Sequence, residues 1–417
     1  PNVADPEQGK VAYIASDYNT GWMHGDIKLA TLSDTSTTNA ASTDLLGGIG
    51  NFTDASAWTV PSGWSLSSNI ATGTGVTAYI YPATNGMLTT GKQYALTITQ
   101  SGYTSGAAYI YMGTGAPGGA NHYIGLPSTG GTFTYILTAF NSNFGIYGAN
   151  YTGVIDNVTI SLAEEDRSVN GKGLQVFGTV TKTAVATGAD LVGYSGFSAS
   201  NYLRQPYNSD LQVGTAGSIA FTFWFNLPDF DTAAYFFDRA HTNGGKRIAV
   251  YINENGINVY TPNSEIAGFV FPYDVWNQLT VVRSGGTLRV YLNGVLKNSV
   301  ANDEDLNTDG SVASGLILGS RYSLSNFLVS GSMSLFRVST TAPTPEQIAK
   351  IYNDEKHLFS TNAKATLYGT SNAVTALAYD DDTELLHVGT SAGRSEFQGL
   401  RRVNNTTDAV SAAISAS

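Results

Sequence analysis

"WNQLTVVRSGGTLRVYLNGVLKNSV", residues 276–300, decides the fold. In its second half Leu288, Val290 and Leu292 alternate with Arg289 and Tyr291, the period-two pattern of a half-buried strand. Asn293-Gly294 then supplies the pair of positive-φ residues that a two-residue hairpin turn requires. Val295 and Leu296 restart a strand on the far side. The stretch holds no reactive group, so its surroundings decide whether it belongs to a scaffold, a lectin or an enzyme.

The neighbouring segments are of the same kind. "SIAFTFWFNL" (218–227) is an aromatic-rich β run, "KRIAVYINENGINVYT" (246–261) is a further hairpin, and "GLILGSRY" (315–322) and "GSMSLFRVST" (331–340) follow. One helix closes the series. In "TPEQIAKIYNDEKHLF" (344–359), Thr344 is set as N-cap, Pro345 at the first helical position and Gln347 to close a capping box. Ile348, Ile351 and Tyr352 form its apolar stripe.

Upstream, residues 45–162 are strands and turns throughout: "VTAYIY" (76–81), "QYALTI" (93–98), "AAYIYM" (107–112), "GTFTYILTA" (131–139) and "NVTISL" (157–162). Gly, Pro or Asn punctuates them, which predicts an antiparallel β-sandwich. The polar "SDTSTTNAASTD" (33–44) reads as a linker and "AEEDRSVNG" (163–171) as a charged joint. The two chain ends echo each other in "YIAS" and "DIKLATL" against "LYGTS" and "LHVGTS". They read as β-propeller-blade sequence, which is stable only when stacked on neighbours. The expected organisation is blade-like strands and linker at 1–40, a sandwich at 41–165, a second sandwich with the helix at 166–360, and a blade-like segment at 361–417. Strands of Val11–Leu32 and Thr366–Val403 are expected to join in one sheet. Its open edge would favour a homo-oligomer.

Composition sets limits. The chain has 417 residues, 42% hydrophobic and 13% charged, with 46 Gly, 24 Tyr and a net charge of -11. An acidic chain without basic clusters is poorly suited to nucleic acid. Cysteine is absent, which removes thiolate chemistry, Cys-bearing zinc sites and disulfides. No stretch approaches the roughly 18 apolar residues of a membrane helix. The sequence begins at Pro1 without a signal-peptide pattern, which reads as a processed chain or a fragment of a longer one.

Catalytic motifs are missing. No E-x-D-x-x-E string places the paired carboxylates of a jelly-roll glycosidase. None of the five histidines accompanies a G-x-S-x-G nucleophile, and no phosphate-binding glycine loop occurs. No catalytic residue is therefore assigned. "DLNTDG" (305–310) begins like a calcium loop, with Asp305, Asn307 and Asp309 at alternate positions, but Leu316 stands where the closing Glu belongs. It is either a calcium site or a polar turn. In "VTAYIY" and "AAYIYM", Tyr79, Tyr81, Tyr109 and Tyr111 oppose aliphatic residues and line one sheet face. Flat amphipathic rings suit sugar stacking, with Trp58 and Trp64 as further candidates. The alternative is that the tyrosines are core or pack on a neighbouring domain, and the two tryptophans share that ambiguity.

Trp276 to Arg283, then Tyr291-Leu292-Asn293-Gly294-Val295, then Leu318-Gly319-Ser320, in this order and with the terminal helix, resemble the laminin-G/concanavalin-A-like jelly roll. That resemblance implies a rim site, for which Asp238, His241, Arg321 and Tyr322 are the candidates, and keeps calcium in view. "GNFTDASAWTVPSGW" (50–64), "LTTGKQYALTITQSG" (88–102) and "GVIDNVTISL" (153–162) resemble a carbohydrate-binding-module sandwich. With "GDIKLATLSDT" (25–35) and "GLQVFGTVTKTAVATGADLVGYSGFSASNYLRQPYNSDL" (173–211), the whole resembles surface-fibre and tail-associated proteins of bacteriophages, marine ones in particular. The resemblance implies a non-enzymatic virion surface component that binds host-surface glycans. Its partners would be other virion proteins and further copies of itself, in a trimer, without membrane insertion. A secreted or cell-surface bacterial adhesin is the second reading, and a polysaccharide-degrading enzyme the third.

Overall fold

The Asn293-Gly294 turn forms as expected. Both residues have positive φ, +52° and +78°, and they join strand Thr287–Leu292 to strand Val295–Ala301 with Leu292 opposite Val295. The preceding Asn277-Gln278 explains why Asn is needed there. The Asn293 amide donates to Asn277 Oδ1 (3.0 Å), and Asn293 Oδ1 accepts from the Gln278 backbone N–H (2.8 Å). The turn is thereby stitched to the strand two segments back. Gly294 is required twice over, because a Cβ there would also stand 3.0 Å from Ala349 Cα on the helix.

In this computed structural model the described residues are 10–13, 21–24, 26–113, 122–215, 217–228, 233–240, 245–308, 315–364, 366–371 and 373–410. The chain is all-β with one short α-helix among them. Two sheets make the jelly roll. A nine-stranded sheet runs from Val295–Ala301 through Thr287–Leu292, Asn277–Ser284, Ile219–Asn226, Ser332–Ser339, Val192–Ser195 and Thr179–Ala184 to Ala40–Ala41, with Ile27–Thr31 joining it beside Ser332–Ser339. A seven-stranded sheet runs from Gln175–Phe177 through Tyr202–Gln205, Gly315–Leu318, Ala234–Ala240, Arg247–Asn253 and Gly256–Thr261 to Ser264–Phe269. Alternate residues of both meet in a phenylalanine-rich core that includes Phe221, Phe223, Phe225, Phe236, Phe237 and Phe336.

The helix, Pro345–Glu355, is capped by Thr344 with the full capping box. It is fastened by a buried charge as well as by its stripe. The Glu355 carboxylate is fully buried and takes both terminal nitrogens of Arg337, the Trp224 indole N–H (2.7 Å) and the Gln278 amide (3.2 Å). A buried carboxylate tolerates desolvation only with partners of this kind.

In the first sandwich "QYALTI" and "AAYIYM" are not separate strands but two ends of one, Gln93–Tyr111, paired along its length with Gly145–Leu162. Three register shifts interrupt that pairing, at Ala149/Thr152, Thr152/Val154 and Asp156/Thr159. Such bulges bend a strand pair, and residues from both ends, among them Leu96, Ile98, Ile110 and Ile155, share one core.

The chain ends depart from expectation. Ile27–Thr31 does not meet the C-terminal strands; it pairs with Ser332–Ser339 in the jelly roll, with Leu29 and Leu32 in its core. Lys10–Tyr13 pairs only with Gly21–His24. Val374–Asp380, Leu385–Thr390, Gly393–Gln398 and Arg401–Thr406 form a separate four-stranded antiparallel sheet. Ser332–Ser339, an interior strand of the nine-stranded sheet, offers Ile27–Thr31 both a ladder and apolar neighbours, which outweighs the weak likeness of the two ends. The 33–44 stretch is likewise no free linker, since Ala40–Ala41 pairs with Thr179-Val180 and Asp34 holds Lys182 at 2.5 Å.

Candidate functional site

Period-two alternation sends Ile80, Ala108, Ile110 and Met112 into the first core and leaves the intervening tyrosines outside. Register then collects them. Tyr147 is the cross-strand partner of both Tyr79 and Tyr109, and Tyr111 is the partner of Tyr123. Ring centroids lie 4.7 Å apart for Tyr79–Tyr147, 5.4 Å for Tyr79–Tyr111 and 6.0 Å for Tyr109–Tyr123. Tyr111 and Tyr123 stack at 5.1 Å, 12° from parallel. All five rings are half-buried. Gly125 stands opposite Tyr109, where a Cβ would come within 3.3 Å of the ring. Burial, and then neighbouring Tyr79, push the Tyr111 phenol up to about 12. The result is a continuous aromatic platform that carries five phenol hydroxyls.

Of the sequence candidates, Tyr79, Tyr109 and Tyr111 are brought together. Tyr81 sits opposite Thr59 on the same strand as Tyr79, without a ring contact to the others. Trp58 and Trp64 are corrected: both are buried in the core, their indole N–H groups donating to Ile49 O (3.0 Å) and Ala78 O (3.1 Å). Tyr123 and Tyr147 were missed. Tyr147 does alternate with buried Ile146, but only strand pairing places either ring beside the others.

The jelly roll carries a second polar-aromatic cluster. Asp238 is fully buried in the seven-stranded sheet. It accepts from Arg247 Nε and Nη2 (2.8 and 2.7 Å) and from the Tyr322 backbone N–H (2.8 Å). The Arg247 guanidinium faces the rings of Tyr235, Tyr260 and Tyr322 at 5.3, 5.2 and 5.1 Å. Arg321 lies 5.5 Å from the Tyr322 ring. Asp238, Arg321 and Tyr322 are thus neighbours, and His241 lies outside the described residues. Asp238 is corrected from ligand contact to structural ion-pair partner, since its oxygens are already engaged. Arg247, Tyr235 and Tyr260 were missed; their positions depend on pairing across three strands.

The calcium reading changes too. Asp305 already holds a cation, the Lys246 ammonium, and accepts the Asn307 backbone N–H at 3.0 Å. Asn307 Oδ1 accepts from the Gly214 N–H at 2.7 Å. Asp309 lies outside the described residues. Among those described, no three His, Cys, Asp or Glu side chains converge as metal ligands. Asp305 and Asn307, in the described part of the segment, staple the loop through their side chains.

Comparison with characterised protein sequences returns no match. Among solved structures the chain is similar to the binding domain of botulinum neurotoxin serotype D, at TM-score 0.39 and 13% identity over 57% of this chain and 60% of that one. It is similar to domain 4 of AbnA, a GH43 extracellular arabinanase from Geobacillus stearothermophilus, in complex with arabinotriose, at TM-score 0.37 and 19% identity over 45% and 92%. The binding domain of Paraclostridial Mosquitocidal Protein 1 gives TM-score 0.38 and 11% identity over 55% and 61%. The chain therefore spans 60% of the length of the toxin binding domain named first. Residues 197–349, from the strand edge at Phe197 to the middle of the helix, match the laminin-G family model of the concanavalin A-like lectin/glucanases superfamily.

Proposed function

We propose that this chain is a non-catalytic glycan-binding protein. The observation that carries the reading is the platform of Tyr79, Tyr109, Tyr111, Tyr123 and Tyr147, five rings in contact on one sheet face, each half open to solvent. Such rings cover the C–H faces of a saccharide while the hydroxyls bond its edges. The lectin/glucanase family match of the jelly roll agrees with this class. On the jelly roll, Asp238 is committed to Arg247, and Glu265 accepts the Tyr251 hydroxyl at 2.5 Å, which supports binding over hydrolysis. Glycan-array binding of oligosaccharides longer than two rings by the full chain, lost in Tyr109→Ala/Tyr147→Ala, is the expected result. Release of reducing ends from any bound polysaccharide would overturn the non-catalytic part.

The biological setting proposed is the surface or tail fibre of a bacteriophage particle, where the chain contacts other virion proteins, assembles as a trimer and meets the host glycan. Sandwich order and the absence of cysteine support it. Mass spectrometry of purified virions tests it against the bacterial-adhesin setting, and sedimentation tests the trimer.

A further inference from the structure

We propose that the cleft between the two sandwiches is a second ligand site, shaped for a neutral, hydroxyl-rich molecule of one or two sugar rings. The cleft measures about 510 Å³, inside the range of roughly 300–1,000 Å³ typical of small-molecule sites, which favour domain interfaces. Its walls come from the 34–45 segment, the 162–167 joint, Lys92 and the jelly-roll residues Val176 and Lys182.

The chemistry of the walls selects the ligand. Three carboxylates (Asp34, Glu164, Glu165) face three cations (Lys92, Arg167, Lys182). The cations are matched within the wall: Lys182 to Asp34 at 2.5 Å, Lys92 to Glu165 at 2.8 Å and Arg167 to Glu165 at 3.2 Å. With Glu164 ionised, three carboxylates balance three cations in the wall. Ser36, Thr38, Asn39 and Thr43 add hydroxyl and amide groups, while Leu45, Leu162 and Val176 add apolar surface. A sugar presents the same two faces, a hydroxyl edge and a C–H plane.

Glu164 marks the point of contact. Its side chain is 8% exposed, and Oε1 accepts from the Tyr194 hydroxyl at 2.6 Å. Among the described residues no donor reaches Oε2, which is left to the cleft that Glu164 lines. Burial pushes this carboxyl up to about 7, against the pull of Lys182 and Tyr194. A desolvated acceptor short of one donor favours a ligand hydroxyl.

This site does not depend on the tyrosine platform, and the test separates the two. Full-length Tyr109→Ala/Tyr147→Ala is titrated by calorimetry and ligand-observed NMR. The probes are methyl glycosides of glucose, galactose, mannose and arabinose, with lactose, maltose and cellobiose. One-to-one binding of at least one probe is expected to persist in this background. Glu164→Gln, which puts an N–H₂ where the acceptor was, should weaken it about tenfold or more. Thr38→Trp, at an exposed loop position, should fill the cleft and abolish it. Absence of binding by every probe in this background, or binding indifferent to Thr38→Trp, overturns the proposal whether or not the platform binds glycans.

Discussion

Glu164 makes the stability of the chain depend on pH in a direction opposite to that of most carboxylates. Its carboxyl is lifted from the ordinary 4.5 to about 7, by burial first, with Asp34 adding to the rise and Lys182, Tyr194 and Arg167 opposing it. Between these two values the folded protein holds a proton that the unfolded chain has released. The stabilising contribution is therefore complete below about pH 4.5 and is lost as pH rises through 7. A rise from 4.5 to about 7, at about 1.4 kcal/mol per unit, corresponds to about 3 kcal/mol. Gln keeps the shape and the Tyr194 hydrogen bond but does not titrate. Urea unfolding of wild type and Glu164→Gln, followed by far-ultraviolet circular dichroism from pH 4.5 to 8.5, isolates Glu164 with its coupled neighbours, because groups not coupled to it cancel in the difference. The variant should gain on the wild type by about 3 kcal/mol across that range, most of it between pH 5 and 7.5. Parallel stability curves would refute the reasoning, and so would a gain in the acid direction.

Three more outcomes follow from the packing. Glu355→Ala strands the buried Arg337 guanidinium and should cost about 3–5 kcal/mol in the unfolding free energy, with the helix detaching first in hydrogen exchange. Gly294→Ala meets both the +78° φ and the Ala349 contact, so a loss of about 1–2 kcal/mol in denaturant unfolding is expected, whereas a neutral result would place the helix further from the turn. Millimolar calcium or chelator should leave the thermal midpoint unmoved, because Lys246 occupies Asp305; a rise of several degrees on adding calcium would show that the ion displaces it.

What the sequence made legible was local. The Asn293-Gly294 turn, the Thr344 capping box and the inward-outward alternation of 107–112 depend on residues a few positions apart, and the structure contains all three. The platform was half legible for the same reason: alternation exposes Tyr79, Tyr109 and Tyr111, whereas Tyr123 and Tyr147 join them through pairing between distant strands. Trp58 and Trp64 stayed ambiguous because an aromatic in a short strand has the same local signature inside or outside a core, and the structure places both inside. Glu164 and Asp166 lie in a stretch whose charge reads as solvent-facing. Asp166 is nevertheless buried, satisfied by the backbone N–H groups of Ala30, Ser168 and Lys172 at 2.8–2.9 Å. Ser168 and Lys172 are local donors, but only tertiary structure brings Ala30, from a strand of the jelly roll, to this carboxylate.

The unforeseen position of Ile27–Thr31 and Ala40–Ala41 in the jelly roll bears on function. Because both precede the first sandwich and pair with later strands, the first sandwich is an insertion in the jelly roll, connected by two chain segments. The outgoing segment is fixed by Ser42 N to Gly178 O (2.9 Å) and Leu45 N to Ile160 O (2.7 Å). The returning one is fixed by Arg167 N to Ala30 O (2.7 Å), while the Gln93 side chain bonds Asp166 and Gly173. A single linker permits rotation about itself; two crossings, each tied to both bodies, remove that freedom. Independent domain motion, the ordinary expectation for bodies joined by one linker, is therefore suppressed here. Small-angle scattering of the free chain should therefore fit a single rigid arrangement of the two sandwiches. For the glycan binding proposed above this rigidity is an advantage, since ordering a loose domain on contact would subtract from each weak interaction.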